Sequence, residues 1–245
     1  MMDYLIFRLY GPMASWGDIA VGEVRTSHTH PSKSAILGLI AAALKISRDQ
    51  ESLHRQLEEC YGVAVLVDNA GVPLSDYHTI QVPPSGTGRK RRIYSTRRDE
   101  IVTLPREKLS TILSKRGYRT DALATAALWT RNSPPFSLDE LSKALLYPSY
   151  TLYLGRKSCP LSLPLEPQIV TAETLIEALT KTNFLDLEEL HNLTRTGRTV
   201  LYWEKGAETG MEPQQLFERH DVPISRKRWQ FAVRKEYQAY YPEEG

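Results

Sequence analysis

Residues 32–44, S-K-S-A-I-L-G-L-I-A-A-A-L, constrain the fold more than any other stretch, because such a run buries itself only as a helix against a larger surface. Ile36, Leu37, Leu39, Ile40 and Leu44, with alanines between them, give an apolar face wide enough for a sheet. Pro31 and Ser32 mark the entry, with Ser32 a good N-cap and Lys33 and Ser34 in the first turn. Gly38 interrupts the run and predicts close packing against a strand. The front of the helix carries unpaired N–H groups and the positive end of the dipole. Ser32, Ser34, Lys33 and Arg25 would add hydroxyls and charge there, a setting for a phosphate. The plainer alternative is that the serines only cap the helix and Lys33 is solvated.

A chain of 245 residues, 41% of them apolar, can bury a substantial core as one elaborated domain or two small ones. No run of 18 apolar residues suggests a membrane span, and the first ten residues alternate where a signal peptide would be continuously apolar. Cys60 and Cys159 lack nearby partners, so a disulfide framework and a zinc finger are both unexpected and a reducing cytoplasm is the natural setting. Each reads as a small packed residue.

The net charge of +2 conceals an asymmetry. Residues 89–119 hold eleven Lys or Arg against Asp99, Glu100 and Glu107, which gives that segment +8 and the remainder −6. A near-neutral chain that gathers its cations in one place is built to hold a polyanion there. Within that segment P-P-S-G-T-G-R-K-R-R-I-Y-S-T-R-R is poor core material and suits an arm or long hairpin that orders on a nucleic-acid backbone. Arg89, Lys90, Arg91, Arg92, Arg97 and Arg98 would be its phosphate contacts. A basic loop without a ligand is the alternative.

Other segments alternate or cap in recognisable ways. Met2–Tyr10 sets Leu5, Phe7 and Leu9 on one face and reads as a strand covered by helices there. G-P-M-A-S-W-G follows, placing Met13 and Trp16 on a loop where Trp16 either stacks on a base or packs onto the core. Residues 47–62 predict a second helix, 63–67 a buried strand, 76–82 an extended stretch and 118–130 another strand. Ser137–Leu146 predicts a helix with a Ser137–Glu140 capping box and leucines 138, 141, 145 and 146 on one face. Tyr150 and Tyr153 then precede Gly155, Arg156, Lys157 and Ser158, where stacking and phosphate contacts would coincide. Residues 166–218 carry ten acidic against four basic side chains, include a helix near 172–182, and should face water or a protein partner. The final stretch from Arg226 alternates, is basic again and would complete a sheet.

Catalytic signatures are thin: no Walker loop, H-E-x-x-H, G-x-S-x-G or dinucleotide fingerprint occurs. His28, His30 and His78 would serve as acid and base if the chain cleaved RNA without a metal, the enzymatic alternative.

Four motifs, taken in order, resemble one known family. G-P-M-A-S-W-G, R-x-S-x-x-x-P-S-K-S-x-I-L-G-L-I, D-Y-H-T and L-G-R-K-S-C-P-L, spanning Gly11 to Leu161, look like the CasD family of subunits of the CRISPR type I-E Cascade complex. With the first strand and the basic insertion, the likeness covers about two thirds of the chain, and the C-terminal third is less diagnostic. The resemblance implies an α+β fold of the RAMP superfamily. It would be a single domain over 1–245 with a ferredoxin-like, RRM-related core, an antiparallel sheet and a protruding basic β-hairpin thumb at about 80–120. It further implies a non-catalytic subunit that grips the 5′ handle of the guide RNA (crRNA) and caps one end of the complex. Backbone and large subunits would be its partners, target DNA would be met indirectly, and no cofactor or metal is expected. Carried over by motif, the RNA-binding residues are Met13, Ser15, Trp16, Arg25, Ser27, Lys33, Ser34, His78, Tyr153, Gly155, Arg156 and Lys157, besides the arm cations. His28 and His30 fall where the family pattern is open.

Overall fold

The computed structural model describes residues 1–17, 20, 22–84, 94–185, 189–190, 198–228 and 230–241. Arg89, Lys90, Arg91 and Arg92 therefore lie outside the described residues.

The alternating first segment forms β1 (Met2–Tyr10), and four two-residue strands follow: β2 (Met13–Ala14), β3 (Trp16–Gly17), β4 (Val24–Arg25) and β5 (Ser27–His28). The apolar run becomes α1 (Lys33–Ala43), capped by the Ser32 side chain, which accepts from Ala35 N–H. Then come α2 (Glu51–Cys60), β6 (Tyr61–Asn69), β7 (Val72–Val82), α3 (Arg97–Val102), β8 (Ser110–Thr120) and β9 (Leu123–Thr130). The chain ends with α4 (Leu138–Leu146), β10 (Gln168–Ala172), α5 (Leu175–Lys181), β11 (Val200–Glu204), β12 (Gln215–Ser225) and β13 (Gln230–Tyr240).

One antiparallel sheet organises the molecule, in the order β10-β1-β9-β6-β11-β13-β12. Both of its faces are covered, so β1 has no wet side. Leu5, Phe7 and Leu9 pack with Val63, Val65 and Val67 under α1, α2 and α4, while Tyr4 and Ile6 pack with Trp129 and Trp203 under α5. Burial on both faces favours near-continuous apolar strands, which is why β6 and β9 contain little polar punctuation. Gly62 is required for the second layer: a Cβ there would come within 2.0 Å of the Trp129 ring.

Several expected boundaries shift. The 118–130 segment is two strands, because Asp121 takes a left-handed conformation (φ 55°) that lets the chain leave β8 for the main sheet. Asp121 is held there by Asn69, whose side-chain amide donates to its carbonyl at 2.9 Å. The region near 172–182 is a strand end followed by a shorter helix, and Leu146 is exposed, not part of the leucine face. The Ser137–Glu140 capping box forms as expected. The last basic stretch completes the sheet as β13, paired with β11 and β12.

β7 and β8 form a long hairpin in unbroken register from Val72↔Thr120 to Val82↔Ser110. It begins before residue 80, the start that the family resemblance implies for the thumb. β2 and β4 flank β8 in this second sheet. No helix among the described residues is long and apolar enough to cross a membrane.

Candidate nucleic-acid interface

The start of α1 opens into a cleft of about 660 Å³. Six of the sequence-predicted residues meet there: Ser15, Trp16, Arg25, Ser34, Tyr153 and Gly155. They come from three separate segments, and specific contacts draw those segments together. β3 pairs with β5, setting Trp16 opposite His28, and Trp16 N–H donates to Ser27 Oγ at 3.0 Å. Ser15 N–H donates to the Leu154 carbonyl at 3.0 Å, docking the 153–160 loop on the 13–17 loop, and Ser15 Oγ donates to the Gly117 carbonyl at 3.0 Å. The two serines Ser15 and Ser27 thus hold the frame. Trp16 is 5% exposed, so it packs into the core and borders the cleft only with an edge of its surface.

Gly155 is the joint of this assembly. Its φ of +83° suits glycine, and a Cβ there would sit 1.9 Å from the Ser15 carbonyl oxygen. Gly155→Ala is therefore expected to push the two loops apart and lower stability by about 1–3 kcal/mol. Urea unfolding measures this, and an alanine variant as stable as the parent would show that the loop docking is dispensable.

The helix mouth is less open to an outside anion than the sequence suggests. Lys33 N–H donates to Asp221 Oδ2 at 2.9 Å and Ala35 N–H to Ser32 Oγ at 3.2 Å, which leaves the Ser34 N–H without a protein partner among the described residues. Asp221 is held by Arg234, whose Nε and Nη2 donate to its two oxygens at 2.7 and 2.8 Å.

Lys33 is a correction to the expected set. Its side chain is 1% exposed and turns away from the cleft. Nζ donates to the Glu58 carbonyl at 2.8 Å and lies 3.1 Å from Glu58 Oε1 and 3.2 Å from Glu204 Oε2. A buried ammonium needs such carboxylates, and they outcompete a solvent-side role. Glu204 in turn accepts from Val63 N–H and pairs with Arg131, so the acidic C-terminal region is partly spent inside the protein.

The other expected residues fall outside the cleft. Met13 packs on the core. His78 sits on β7 paired with Asp76, Arg97 bonds Glu100 and the Gln81 carbonyl, and Arg98 is exposed. Arg156 lies over the Tyr118 ring at 4.8 Å, turned toward the hairpin base, and Lys157 is exposed on the same loop.

The three histidines proposed as acid and base are not brought together. His28 lines the cleft, whereas His30 is buried and stacked on Tyr202 with ring centroids 3.7 Å apart. His30 Nε2 is 3.0 Å from Glu236 Oε2 and 2.8 Å from Arg219 Nη1, and burial pushes its imidazole below the ordinary value despite Glu236. Both cysteines are buried, and burial pushes the Cys159 thiol up, away from nucleophilic use. Among the described residues no group of three or more His, Cys, Asp or Glu is arranged to hold a metal ion.

Sequence reasoning missed the far wall. Arg48, His54, His220 and Arg226 also line the cleft, brought in by the turn after α1, by α2 and by β12 with its following turn. The R-K-R run at 226–228 was the available signal, but nothing local says that the β12–β13 turn folds back over α1.

The comparisons with known proteins bear on this geometry. The family described as CRISPR-associated protein (Cas_Cas5) matches residues 4–237. This chain belongs to the Cas5 family. The Cascade subunit CasD of Escherichia coli (strain K12) is 37% identical over 173 residues, covering 67% of this chain and 70% of that protein. A chain of a CRISPR RNA-guided surveillance complex superposes with a TM-score of 0.66 at 26% identity, over 97% of this chain and 89% of its own. A Cas protein crystal structure superposes at 0.58 with 24% identity, over 98% and 95%, and supports the fold alone. The Cas5 match extends well past Leu161, so the C-terminal strands that close the cleft belong to the family region too.

Proposed function

We propose that this Cas5 chain is the crRNA-binding subunit at one end of a Cascade complex, holding the 5′ handle of the guide RNA without cutting it. The observation that carries the reading is the convergence of Ser15, Trp16, Arg25, Ser34, Tyr153 and Gly155 on one cleft from three sequence motifs. Arg25 offers a guanidinium, Ser34 a hydroxyl and an N–H, and Tyr153 aromatic surface, the groups that hold a phosphate and the base beside it, while buried Trp16 shapes the wall. Met13, Ser27, Gly155, Arg156 and Lys157 position or flank that strand in this reading.

The chain is taken as a single RAMP-type domain. Its strands β10-β1-β9-β6, with α1 and α4 as crossovers, follow the order of a ferredoxin-like, RRM-related core. The β7–β8 hairpin with the segment between its strands is the thumb, whose cations, Arg89, Lys90, Arg91, Arg92, Arg97 and Arg98 among them, follow the RNA backbone with His78. Backbone and large Cascade subunits are its protein partners in the cytoplasm, and target DNA is met through them.

The test is retention of repeat RNA by the purified chain in EDTA. Arg25→Ala is expected to weaken binding about 10- to 100-fold, the worth of one charge-assisted phosphate contact, with the RNA recovered intact. Specific cleavage lost on substituting His28 would replace this reading with that of an endoribonuclease. Unchanged affinity in the Arg25 variant would remove the cleft from RNA binding.

A further inference from the structure

Arg226 occupies an unusual position. Nη2 donates to the Ser34 carbonyl at 2.8 Å, and a Cβ at Gly38 would sit 3.7 Å from both Nη1 and Nη2. The guanidinium thus lies over the helix at Gly38, where the sequence predicts a strand packed instead, and a side chain larger than a methyl would compete with it for that space. Arg226 makes no ion pair among the described residues, and its Nε is buried without a hydrogen-bond partner.

Its charged neighbour is another cation. Arg48 lines the same cleft, and these two arginines also line an adjoining hollow of about 440 Å³ with Asp49 and Lys227. Burial and the Arg48 charge both press the Arg226 cation down, with no carboxylate among the described residues opposing them. Three of the described carboxylates at this end are engaged elsewhere. Asp49 bonds Ser47 and faces Lys227, Glu51 bonds Ser225 and faces Lys227 and Arg228, and Asp221 is clasped by Arg234. Glu218 lines the cleft without pairing to Arg226. Two guanidinium groups lining one concave corner, with no described carboxylate on Arg226, create a positive potential that an anion relieves.

We propose that Arg226 and Arg48 form a second phosphate subsite, which takes the phosphodiester next to the one held by Arg25 and Ser34, so that the RNA backbone runs along α1. From Ser34 to Gly38 is one helical turn, about 6 Å of rise, the scale of a single nucleotide step. The inference rests on the RNA-binding reading of the cleft. It assigns a role to Gly38 that packing does not: a bulky residue there would fill the track. RNA is favoured over an acidic protein segment because the corner is continuous with Arg25 and Tyr153, which suit a nucleotide.

The experiment measures binding of single-stranded repeat RNA across a salt series by the parent chain and by Arg226→Gln, Arg48→Gln and Arg25→Gln, each first checked for folding by thermal melting. RNAs carrying one neutral methylphosphonate linkage at successive positions complete the set. Arg226→Gln and Arg48→Gln are each expected to weaken binding about tenfold and to flatten the salt slope by about 0.7, one single-strand phosphate contact. One neutral linkage should cost the parent affinity but cost Arg226→Gln nothing further, and it should adjoin the linkage silenced in Arg25→Gln. Should Arg226→Gln fail to fold, exposed Arg48 decides. Parental affinity and slope in both variants, with binding lost in Arg25→Gln, would overturn the subsite and leave the RNA-binding reading standing. The same result with a protein subunit shed from the purified complex would assign the corner to a protein contact and overturn the proposal equally. A parent chain that binds no repeat RNA would sink the reading and the subsite with it.

Discussion

Lys33→Ala is expected to destabilise the folded chain by about 3–5 kcal/mol, the cost of removing one member of a buried ion pair. The reason lies in what remains behind. Glu204, 6% exposed, would keep Arg131 and the Val63 N–H but lose its ammonium partner, and the Glu58 carbonyl would lose its donor. Lys33→Met fills the vacated space but leaves the same carboxylates, so it should recover only part of the loss. Adding Glu204→Gln to Lys33→Met should recover more. Urea unfolding of the four proteins measures the series, and RNA affinity of the folded fraction should stay near that of the parent. If Lys33→Ala proved as stable as the parent yet bound RNA weakly, Lys33 would be a phosphate ligand after all.

Acid should loosen the joint between the cleft and the C-terminal strands. Burial opposes ionisation of Glu236, but the His30 contact and the charges of Arg234 and Arg219 outweigh it and hold the carboxyl at about 2, from an ordinary 4.5. A carboxyl whose folded value is depressed stabilises the fold fully above its unfolded value, and that contribution is lost as pH falls toward the folded one. The window is therefore from about pH 5 down to about pH 2, and the stability lost across it is about 3 kcal/mol. His30 acts in the same direction: burial lowers its value, so protonating it below about pH 6.5 favours the unfolded chain. The difference in unfolding free energy between the parent and Glu236→Gln should shrink steadily from about pH 5 to pH 3. A constant difference over that range would mean that Glu236 is not held ionised by this network.

Both predictions concern one chain of charges running from the start of α1 to β13. Lys33 joins Glu58 and Glu204, Asp221 joins the Lys33 N–H to Arg234, and Glu236 joins Arg234 to Arg219 and His30. Its members sit on the main sheet, on the helix and on the strand that lines the cleft, so it fixes the cleft wall as well as the fold. The β12–β13 register shifts between Arg219 and Val222 at that place, and a break in strand register re-aims side chains.

Local signals in the sequence carried much of the architecture. The Ser32 cap, the Ser137–Glu140 capping box, the alternation of β1 and the alternating basic end of the chain each act within a few residues, so each was legible without knowing the fold. The motifs also delivered the part of the cleft formed by Ser15, Trp16, Arg25, Ser34, Tyr153 and Gly155. What the sequence left open was where charges go once the chain is folded. Lys33 looks like a surface cation at a helix mouth until Glu204, 171 positions later, meets it inside the protein. His30 looks like half of an acid–base pair until Glu236, 206 positions away, claims it, and Arg226 reads as one of a basic run until the β12–β13 turn sets it against α1. Helix caps and strand alternation are decided by neighbours along the chain. The burial and pairing of a charge are decided by groups that only the tertiary fold brings within a few ångströms, and at that range desolvation and Coulomb attraction outweigh any local preference.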